Sequence, residues 1–320
     1  MKKSIELRKK ILTHAYQNGL FTNNNSIEKN LKLNKQTIEY VLTKLTEENY
    51  LVKNRYVIDL NTINLGKFAW VFVSVDWNNF DENKFLDKLM KMHQIHTVAQ
   101  ITGSYDFGIK IIGSSIQDIN NITLIIEKFF PEILEIEVHF MSKEYKTHFE
   151  IITNPSTYKL KKIDLLILGE KDQTPKISLQ EIAKKYFIHR NTISNKWNNF
   201  WKDRVIIKKT VELTPKGYDF IDLGLKSFII IKPIPGKQEI IINKLLKNKQ
   251  IQDIFTTIEN EIIILVRTKN SDDLAEFYKN ISKKCPNIKK TNTLIFLTKK
   301  TKSGLNVEEI EQLIEKKNYF

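Results

Sequence analysis

The sequence contains an internal repeat, and this repeat constrains the fold more than any other feature. The segment Ile27–Ile38 matches Ile182–Ile193, 155 positions later, in the placement of its apolar residues and its threonine. Further pairs at the same offset are Tyr50–Lys53 with Val205–Lys208 and Pro131–Ile133 with Pro286–Ile288. A unit of this length is far too long for a solenoid. The sequence therefore predicts one two-domain protein duplicated in tandem.

Composition narrows the class of protein. No apolar run approaches the roughly 18 residues of a membrane span, and the first ten residues are too charged for a signal peptide. The single cysteine, Cys285, excludes an internal disulfide and suits a reducing compartment. We therefore expect a cytoplasmic protein without a membrane partner, with Cys285 buried at a helix end before Pro286.

The net charge of +14 is unevenly distributed along the chain. Counting Lys and Arg against Asp and Glu, residues 1–60 carry +5, residues 66–150 carry −4, and residues 155–222 and 223–298 carry +6 each. A general drift toward Lys codons would raise the net charge of every segment by a similar amount. The acidic segment between basic ones indicates that residues 1–60 and 155–222 meet a polyanion.

Three helices are predicted near the N-terminus, over Ile5–Gln17, Asn25–Leu31 and Lys35–Glu48. Asn34 can cap the third helix. Leu51–Ile58 then alternates around a basic tip at Arg55, which predicts a strand pair, or wing. This order is a winged helix-turn-helix.

The second copy follows the same plan. Ser178 can cap a helix over Leu179–Tyr186, and His189–Lys202 forms the third helix. Val205–Val211 supplies the second wing. The recurrence of cap, turn, polar helix and wing strengthens the prediction of a DNA-binding head in each copy.

The outward positions at the start of each third helix are the predicted base and phosphate contacts, because such a helix lies in the DNA major groove. Asn and Gln side chains can form paired hydrogen bonds with adenine, Arg can form them with guanine, and Lys mainly contacts phosphate. The predicted DNA-binding residues are Lys35, Gln36, Thr37, Tyr40, Lys44 and Arg55 in the first copy and Arg190, Asn191, Thr192, Asn195, Lys196 and Asn199 in the second.

The longer unit of each copy reads strand, helix, strand, strand, helix, strand, as in a split βαβ sandwich. In the first copy it runs from the β-rich Phe68–Val75 to the alternating Ile133–Tyr145, and in the second from Ser227–Lys232 to Thr293–Leu297. The predicted fold class is α+β, with two winged helix-turn-helix domains alternating with two ferredoxin-like (βαββαβ) domains. The predicted domains are residues 1–62 (winged helix-turn-helix), 66–150 (ferredoxin-like effector and oligomerisation domain), 158–222 (second winged helix-turn-helix), 224–299 (second ferredoxin-like domain) and 300–320 (helical tail).

This arrangement resembles the Lrp/AsnC, or feast/famine, family of transcription regulators. The resemblance rests on the turn and helix from Leu33 to Leu51 and above all on Ile101–Phe107, which is similar to the family's Gly-Asp-Tyr-Asp motif. It implies a double-stranded DNA partner and an amino-acid effector near Gly103, Ser104, Tyr105 and Asp106, where Ser104 departs from the family's acid. The second copy has Thr257–Ile262 at this position, without the glycine, so effector sensing is expected to be asymmetric.

The resemblance also implies assembly. Family members pair through their α/β sheets, so the tandem chain is similar to a covalent dimer that is always near its own mate. We expect a homo-oligomer or co-assembly with paralogues, and the dissimilar third helices predict a non-palindromic operator.

Two other classes stay open. Siroheme decarboxylases resemble the same two-domain family yet are enzymes, and they use His and Arg to hold carboxylates. We expect His93 and His96 to be solvated or capping residues, and no cluster of His, Arg and Tyr is apparent beside the strands. The third class is a non-DNA-binding adaptor that co-assembles with other family members, and DNA binding only in a mixture with a paralogue would favour it.

No metal-ligand spacing, phosphate loop or catalytic motif is present, so we expect no enzyme activity, no metal and no cofactor. The tail from Gly304 to Phe320 places Leu305, Val307, Ile310, Leu313 and Ile314 at the spacing of a short amphipathic helix.

Overall fold

The computed structural model describes residues 2–22, 26–63, 66–152, 157–297 and 302–303. The predicted tail helix, which starts at Gly304, lies outside the described residues. The secondary structure of the first half is α1 (Lys2–Gln17), β1 (Phe21–Thr22), α2 (Ile27–Leu31), α3 (Lys35–Glu47), β2 (Leu51–Ile58), β3 (Lys67–Val75), α4 (Glu82–Met90), β4 (Ile95–Thr102), β5 (Phe107–Gly113), α5 (Ile116–Phe129), β6 (Ile133–Thr147) and β7 (Glu150–Ile151).

The second half has a closely similar order of elements. It contains α6 (Lys162–Gln173), α7 (Leu179–Lys185), α8 (Arg190–Lys202), β8 (Ile206–Leu213), α9 (Pro215–Phe220), β9 (Leu225–Pro233), α10 (Gln238–Leu246), β10 (Ile251–Thr257), β11 (Ile262–Thr268), α11 (Ser271–Lys284), β12 (Ile288–Phe296) and β13 (Lys302–Ser303). Cys285 ends α11 and is buried, as predicted.

The chain is organised as two compact units, each built from both halves of the sequence. The helical unit contains the described residues up to 63 together with 157–224. The sheet unit contains 66–152 together with the described residues from 225 onward.

In the helical unit, local capping fixes where the helices begin. The Asn34 carboxamide accepts a hydrogen bond from the Thr37 amide at 2.7 Å, at the start of α3. Ser178 accepts from the Glu181 amide at 3.1 Å, and the Glu181 carboxylate accepts from the Ser178 amide at 2.7 Å. Both predicted caps are confirmed.

The strands of the helical unit form one shared sheet rather than two wings. β2 and β8 pair antiparallel over their whole length, with Arg55 opposite Thr210, and β1 pairs with the other edge of β8. The prediction of a hairpin wing in each copy is therefore wrong. Each copy contributes one strand, because the alternating segment Leu51–Ile58 finds its partner in the other half of the chain.

In the sheet unit, eight of the described strands pair into a closed ring. Their order is β10, β11, β9, β12, β4, β5, β3 and β6, and β6 pairs in turn with β10. Each half of this mixed α/β unit has the order βαββαβ. The halves meet where Thr257 pairs with Met141 and where Phe296 pairs with Ile101.

Side chains of the ring strands alternate between two buried faces. Along β3, Ala69, Val71 and Val73 pack with residues of α4 and α5, whereas Trp70 and Phe72 lie in a second cluster. That second cluster also takes residues from the other half of the unit, among them Phe228 and Leu294. Burial on both faces explains why β3 is an almost unbroken apolar run.

Candidate functional site

The third helix of the first half, α3, presents polar side chains outward. Lys35 and Gln36 are exposed, and the Tyr40 ring is 65% exposed. The two basic side chains of this face each have an acidic neighbour, since Lys35 lies 3.7 Å from Glu39 and Lys44 lies 2.7 Å from Glu47. The hydrogen bond that the Lys44 ammonium donates to Glu47 raises the pKa of Lys44.

The corresponding helix of the second half, α8, presents a face with less acidic character. Arg190, Asn191, Thr192, Asn195 and Asn199 are all exposed. The first turn of α8 contains no acidic residue, and the His189 ring caps it by accepting from the Asn191 amide at 3.3 Å. A helix N-terminus of this kind carries partial positive charge, which favours an anionic partner.

Lys196 was predicted on this face, but the structure turns it inward. Its ammonium lies 2.9 Å from the carboxylate of Asp164, which has no exposure to solvent. Burial opposes the charged form, but the hydrogen bond and attraction from Asp164 outweigh it and raise the pKa of Lys196. This geometry gives Lys196 a structural contact. Arg55 is half-buried in the middle of β2 rather than at a hairpin tip.

The predicted effector turn connects β4 and β5 in the sheet unit. Gly103 has a φ of 132°, and a Cβ there would lie 2.8 Å from the Thr293 carbonyl oxygen. The Asp106 carboxylate accepts from the Val75 amide at 2.9 Å and from the Trp77 indole nitrogen at 3.0 Å. Asp106 therefore joins this turn to the loop after β3, and Ser104 lies 3.5 Å from Asn292.

Tyr105 connects the turn to a buried polar cluster that sequence reasoning missed. Its hydroxyl donates to Glu137. The pKa of Tyr105 is raised, mainly because the hydroxyl is desolvated by burial and also because of this hydrogen bond. His139, two residues along β6, is 3% exposed and lies 2.9 Å from Glu261 of the second half and 3.4 Å from Glu137. Lys232 lies 3.1 Å from the other oxygen of Glu261. The cluster contains a histidine and a tyrosine but no arginine, so it differs from the His, Arg and Tyr cluster considered in the sequence analysis.

A signal for this cluster exists in the sequence but is weak. In Ile136–Phe140 the polar residues Glu137 and His139 alternate with apolar ones, so both lie on one face of β6. Their partner Glu261 is more than a hundred residues away in the sequence, and the pairing of β6 with β10 brings it close to them.

A pocket of about 750 Å³ lies in the second half of the sheet unit. Its walls are the loop after β9, the start of α10 and the β10–β11 hairpin, with Lys289 at one side. Lys232 and Glu261 line it as well, so the pocket adjoins the His139 cluster. The hairpin at residues 258–260 occupies the place that the predicted effector turn has in the first half.

A second charged group in the sheet unit contains more cations than acids. Lys226 lies 4.1 Å from the centre of the Phe296 ring, and Arg267 donates to Gln252 at 3.1 Å. Gln252 in turn donates to Asp253 at 3.2 Å. Burial lowers the pKa of Lys226 to about 7, and the neighbouring charge of Arg267 acts in the same direction.

Two features are absent from the described residues, a membrane-spanning helix and a metal-binding cluster. Over the ranges given above, no helix combines the length and apolar character that crossing a membrane requires. The same residues contain no group of three His, Cys, Asp or Glu side chains placed to hold a metal ion. Of the two predicted surface histidines, His96 is half-buried and contacts the Thr97 hydroxyl at 2.7 Å.

Comparison with known proteins places the first half of the sheet unit in a family. A profile of the Lrp/AsnC ligand binding domain matches residues 70–151, which include the effector turn and His139. Residues 70–151 therefore match the Lrp/AsnC ligand binding domain. The resemblance to this family that the sequence predicted is thereby confirmed.

Relatives of the Lrp/AsnC type are named as regulators. The HTH-type transcriptional regulator FL11 of Pyrococcus abyssi is 29% identical over 139 residues, which are 43% of this chain and 89% of the regulator. FL11 of Pyrococcus furiosus is 29% identical over 136 residues, covering 42% of this chain and 87% of that regulator. Among solved structures, the siroheme decarboxylase NirDL covers 98% of both chains with a TM-score of 0.62 at 9% identity, which shows a shared fold.

Proposed function

We propose that this chain is a DNA-binding transcription regulator with two helix-turn-helix heads in one helical unit, whose strands β2 and β8 form one shared sheet. The observation that carries the proposal is the N-terminal face of α8, where Arg190, Asn191 and Asn195 are exposed beyond a capped turn. The regulators related to this chain support it by their names. The basic balance of residues 1–60 and 155–222 supplies the attraction to a polyanion.

In this mechanism, α3 and α8 enter the major groove at two half-sites. Asn and Arg at the start of α8 read adenine and guanine edges, whereas Gln36 and Tyr40 of α3 contact the other half-site. Each basic residue of α3 is next to a glutamate, so α3 contributes less phosphate attraction than α8. We therefore expect a non-palindromic operator and stronger binding by the second head.

The Lrp/AsnC domain supplies the proposed response to a small molecule. An effector ammonium group at the turn Gly103–Asp106 would meet Asp106, and it would compete with the contacts that join this turn to Val75 and Trp77. A thermal-shift titration with the amino acids, in the wild type and in Asp106→Asn, tests this site. A thermal shift that persists in Asp106→Asn but disappears in Glu261→Gln would instead indicate that the effector binds in the pocket of the second half.

DNA binding is tested by fluorescence anisotropy over a salt series, with the upstream region of the chain's own gene and a scrambled fragment as probes. Arg190→Ala with Asn195→Ala should abolish the preference for the genomic fragment, and each phosphate contact that is lost should flatten the log–log salt slope by roughly 0.9. Lys35→Ala should have a smaller effect. Lys279→Ala, an exposed lysine of α11, is the matched control and should leave the slope unchanged.

Two results would contradict the proposal that this chain is a DNA-binding transcription regulator. If DNA binds only after a paralogue is added, the chain is an adaptor. If DNA does not bind at all near physiological salt, the second candidate is an enzyme of the siroheme decarboxylase type, which the whole-chain likeness in fold to NirDL favours. A spectral titration with siroheme, with His139→Leu as the comparison, tests that candidate directly.

A further inference from the structure

One aromatic side chain in the helical unit is almost completely exposed. Phe187, in the turn between α7 and α8, is 98% exposed, more than any other large hydrophobic residue among those described. Its backbone is left-handed, with a φ of 54°, a conformation that is rare for a bulky residue. Strain of this kind persists where the surrounding structure imposes it, and it concentrates at functional positions.

The surroundings hold this turn firmly in place. The amide of Phe187 donates to the Lys184 carbonyl at 3.3 Å, and the amide of Ile188 donates to the Ala183 carbonyl at 2.9 Å. Next to it, the Tyr186 hydroxyl donates to Glu170 at 2.6 Å. The exposed ring is thus presented by a backbone that is fixed on both sides.

The first half places a different residue at the same point. Lys32 ends α2 with the same φ of 54°, and it precedes Asn34 and α3 just as Phe187 precedes His189 and α8. The left-handed turn is therefore common to both helix pairs, whereas its side chain is a cation in one and a bare aromatic ring in the other. Both residues adopt the same backbone conformation, so the turn geometry does not explain the difference between their side chains. We relate the difference to the partner that each turn contacts.

The charges around Phe187 indicate a nucleic-acid partner. Lys184, Lys185 and Arg190 lie within three positions of Phe187 along the chain and are exposed, and Lys185 also contacts Glu170 at 2.7 Å. An exposed apolar ring with basic residues on both sides in the sequence fits a polyanion that also offers an apolar group. On the base edges of the DNA major groove that apolar group is the thymine methyl.

We propose that Phe187 contacts a thymine methyl in the half-site read by α8. The inference rests on the proposed function, which puts the start of α8 in the major groove. Phe187 precedes Arg190 by three positions, so an extended chain would place their Cα atoms at most roughly 10 Å apart. At about 3.4 Å per base along a strand, and with the reach of the two side chains added, the thymine lies within a few base pairs of the base that Arg190 reads.

The test compares thymine with deoxyuridine, which lacks only the methyl group, at each thymine of the half-site in turn. For wild-type protein, one such replacement should weaken binding roughly three- to fivefold, as expected for the loss of one buried methyl group. In Phe187→Ala the same replacement should have no effect. Phe187→Lys, which reproduces the residue that tolerates this backbone in the first half, provides a second variant whose folding is secure.

Lys32→Ala is the matched control. It should weaken binding while keeping the thymine preference in the second half-site. Specific binding by wild-type protein without any difference between thymine and deoxyuridine would overturn the contact but leave the proposed function intact. Equal weakening of both probes by Phe187→Ala would assign the ring to the sugar–phosphate backbone and also overturn it. Failure of wild-type protein to bind DNA would overturn both.

Discussion

Asp164 determines the role of a residue that the sequence placed elsewhere. Its side chain has no exposure, one oxygen accepts from the Lys161 amide at 2.8 Å, and the other lies 2.9 Å from the ammonium of Lys196. A buried carboxylate needs such partners, because a charge without them is costly in a medium of low dielectric. Lys196 is thereby committed to α6 and is less available to a phosphate.

Replacing Asp164 with Ala should lower the free energy of unfolding by roughly 3–5 kcal/mol, the usual result when one partner of a buried ion pair is removed. Urea denaturation followed by circular dichroism measures this change. The control is Lys35→Ala, whose side chain is 73% exposed, with an expected change of roughly 0.5 kcal/mol or less. Equal changes in the two variants would contradict the structural role of Asp164.

Lys226 predicts a pH dependence of stability. Burial lowers its pKa in the folded chain to about 7, below the ordinary value of 10.5, so the unfolded chain binds this proton more tightly. The free energy of unfolding should therefore rise with pH between about 7 and 10.5. The destabilisation caused by burying the charged Lys226 should be complete below pH 7. Lys226→Met should be more stable than wild type at pH 6 and should lose this rise.

The measurement is the urea midpoint of wild type and Lys226→Met at pH 6, 7, 8 and 9. Lys279→Met, which replaces an exposed lysine of the same unit, is the control and should follow the wild-type pH profile. An unchanged slope in Lys226→Met would contradict the prediction.

At the scale of elements, the short helix α9 shows how one segment is held against the end of another. The Thr214 hydroxyl donates to the Asn49 carbonyl at 2.7 Å, and the Thr214 amide donates to the Tyr50 carbonyl at 3.2 Å. Gly217 lies so close that a Cβ there would be 2.0 Å from the Tyr50 carbonyl oxygen. The second half thus covers the end of α3, which belongs to the first.

Gly217→Ala should destabilise the helical unit by roughly 1–3 kcal/mol, because the backbone of α9 must move away from Tyr50. Thermal denaturation monitored by circular dichroism would show this loss. Lys216→Ala, on the exposed side of the same helix, should cost less than about 1 kcal/mol, although it removes a hydrogen bond of 3.0 Å to Glu48. A larger loss in Lys216→Ala than in Gly217→Ala would contradict the steric argument.

Elements of this chain differ in how far the sequence predicts them. The helix starts at Asn34 and Ser178 were predictable because a cap and its amide lie within three residues of each other. The strand that pairs with β2 was not predictable, because the alternation along Leu51–Ile58 predicts a strand but does not identify its partner. The His139–Glu261 contact and the inward turn of Lys196 were missed for the same reason, since each depends on residues far apart in the sequence.

At the scale of the whole molecule, each compact unit draws on both halves of the chain. The shared sheet of the helical unit needs β2 and β8, and the closed ring of the sheet unit needs β6 and β10 as well as β4 and β12. Neither half can complete a unit alone, because its ring strands would expose residues such as Trp70 and Phe72.

Cleaving the chain between residues 152 and 157 should therefore yield two fragments that stay together. Size-exclusion chromatography after insertion of a protease site, and co-purification of separately tagged halves, measure this. Each half expressed alone should self-associate or precipitate, since unpaired strand edges and an open apolar face promote association. Two monodisperse, folded monomers would contradict the interleaved architecture.

The pairing of β2 with β8 also sets an order for synthesis. β2 ends at residue 58 and β8 begins at residue 206, so at about 5–20 residues per second the ribosome needs roughly 7–30 s to supply the partner. During that interval the edge of β2 is open, and a neighbouring nascent chain from the same messenger carries the same edge. Each newly made chain thus has time to close on its own second half or to exchange halves with a neighbour, so translation speed and polysome density become determinants of the assembly that forms.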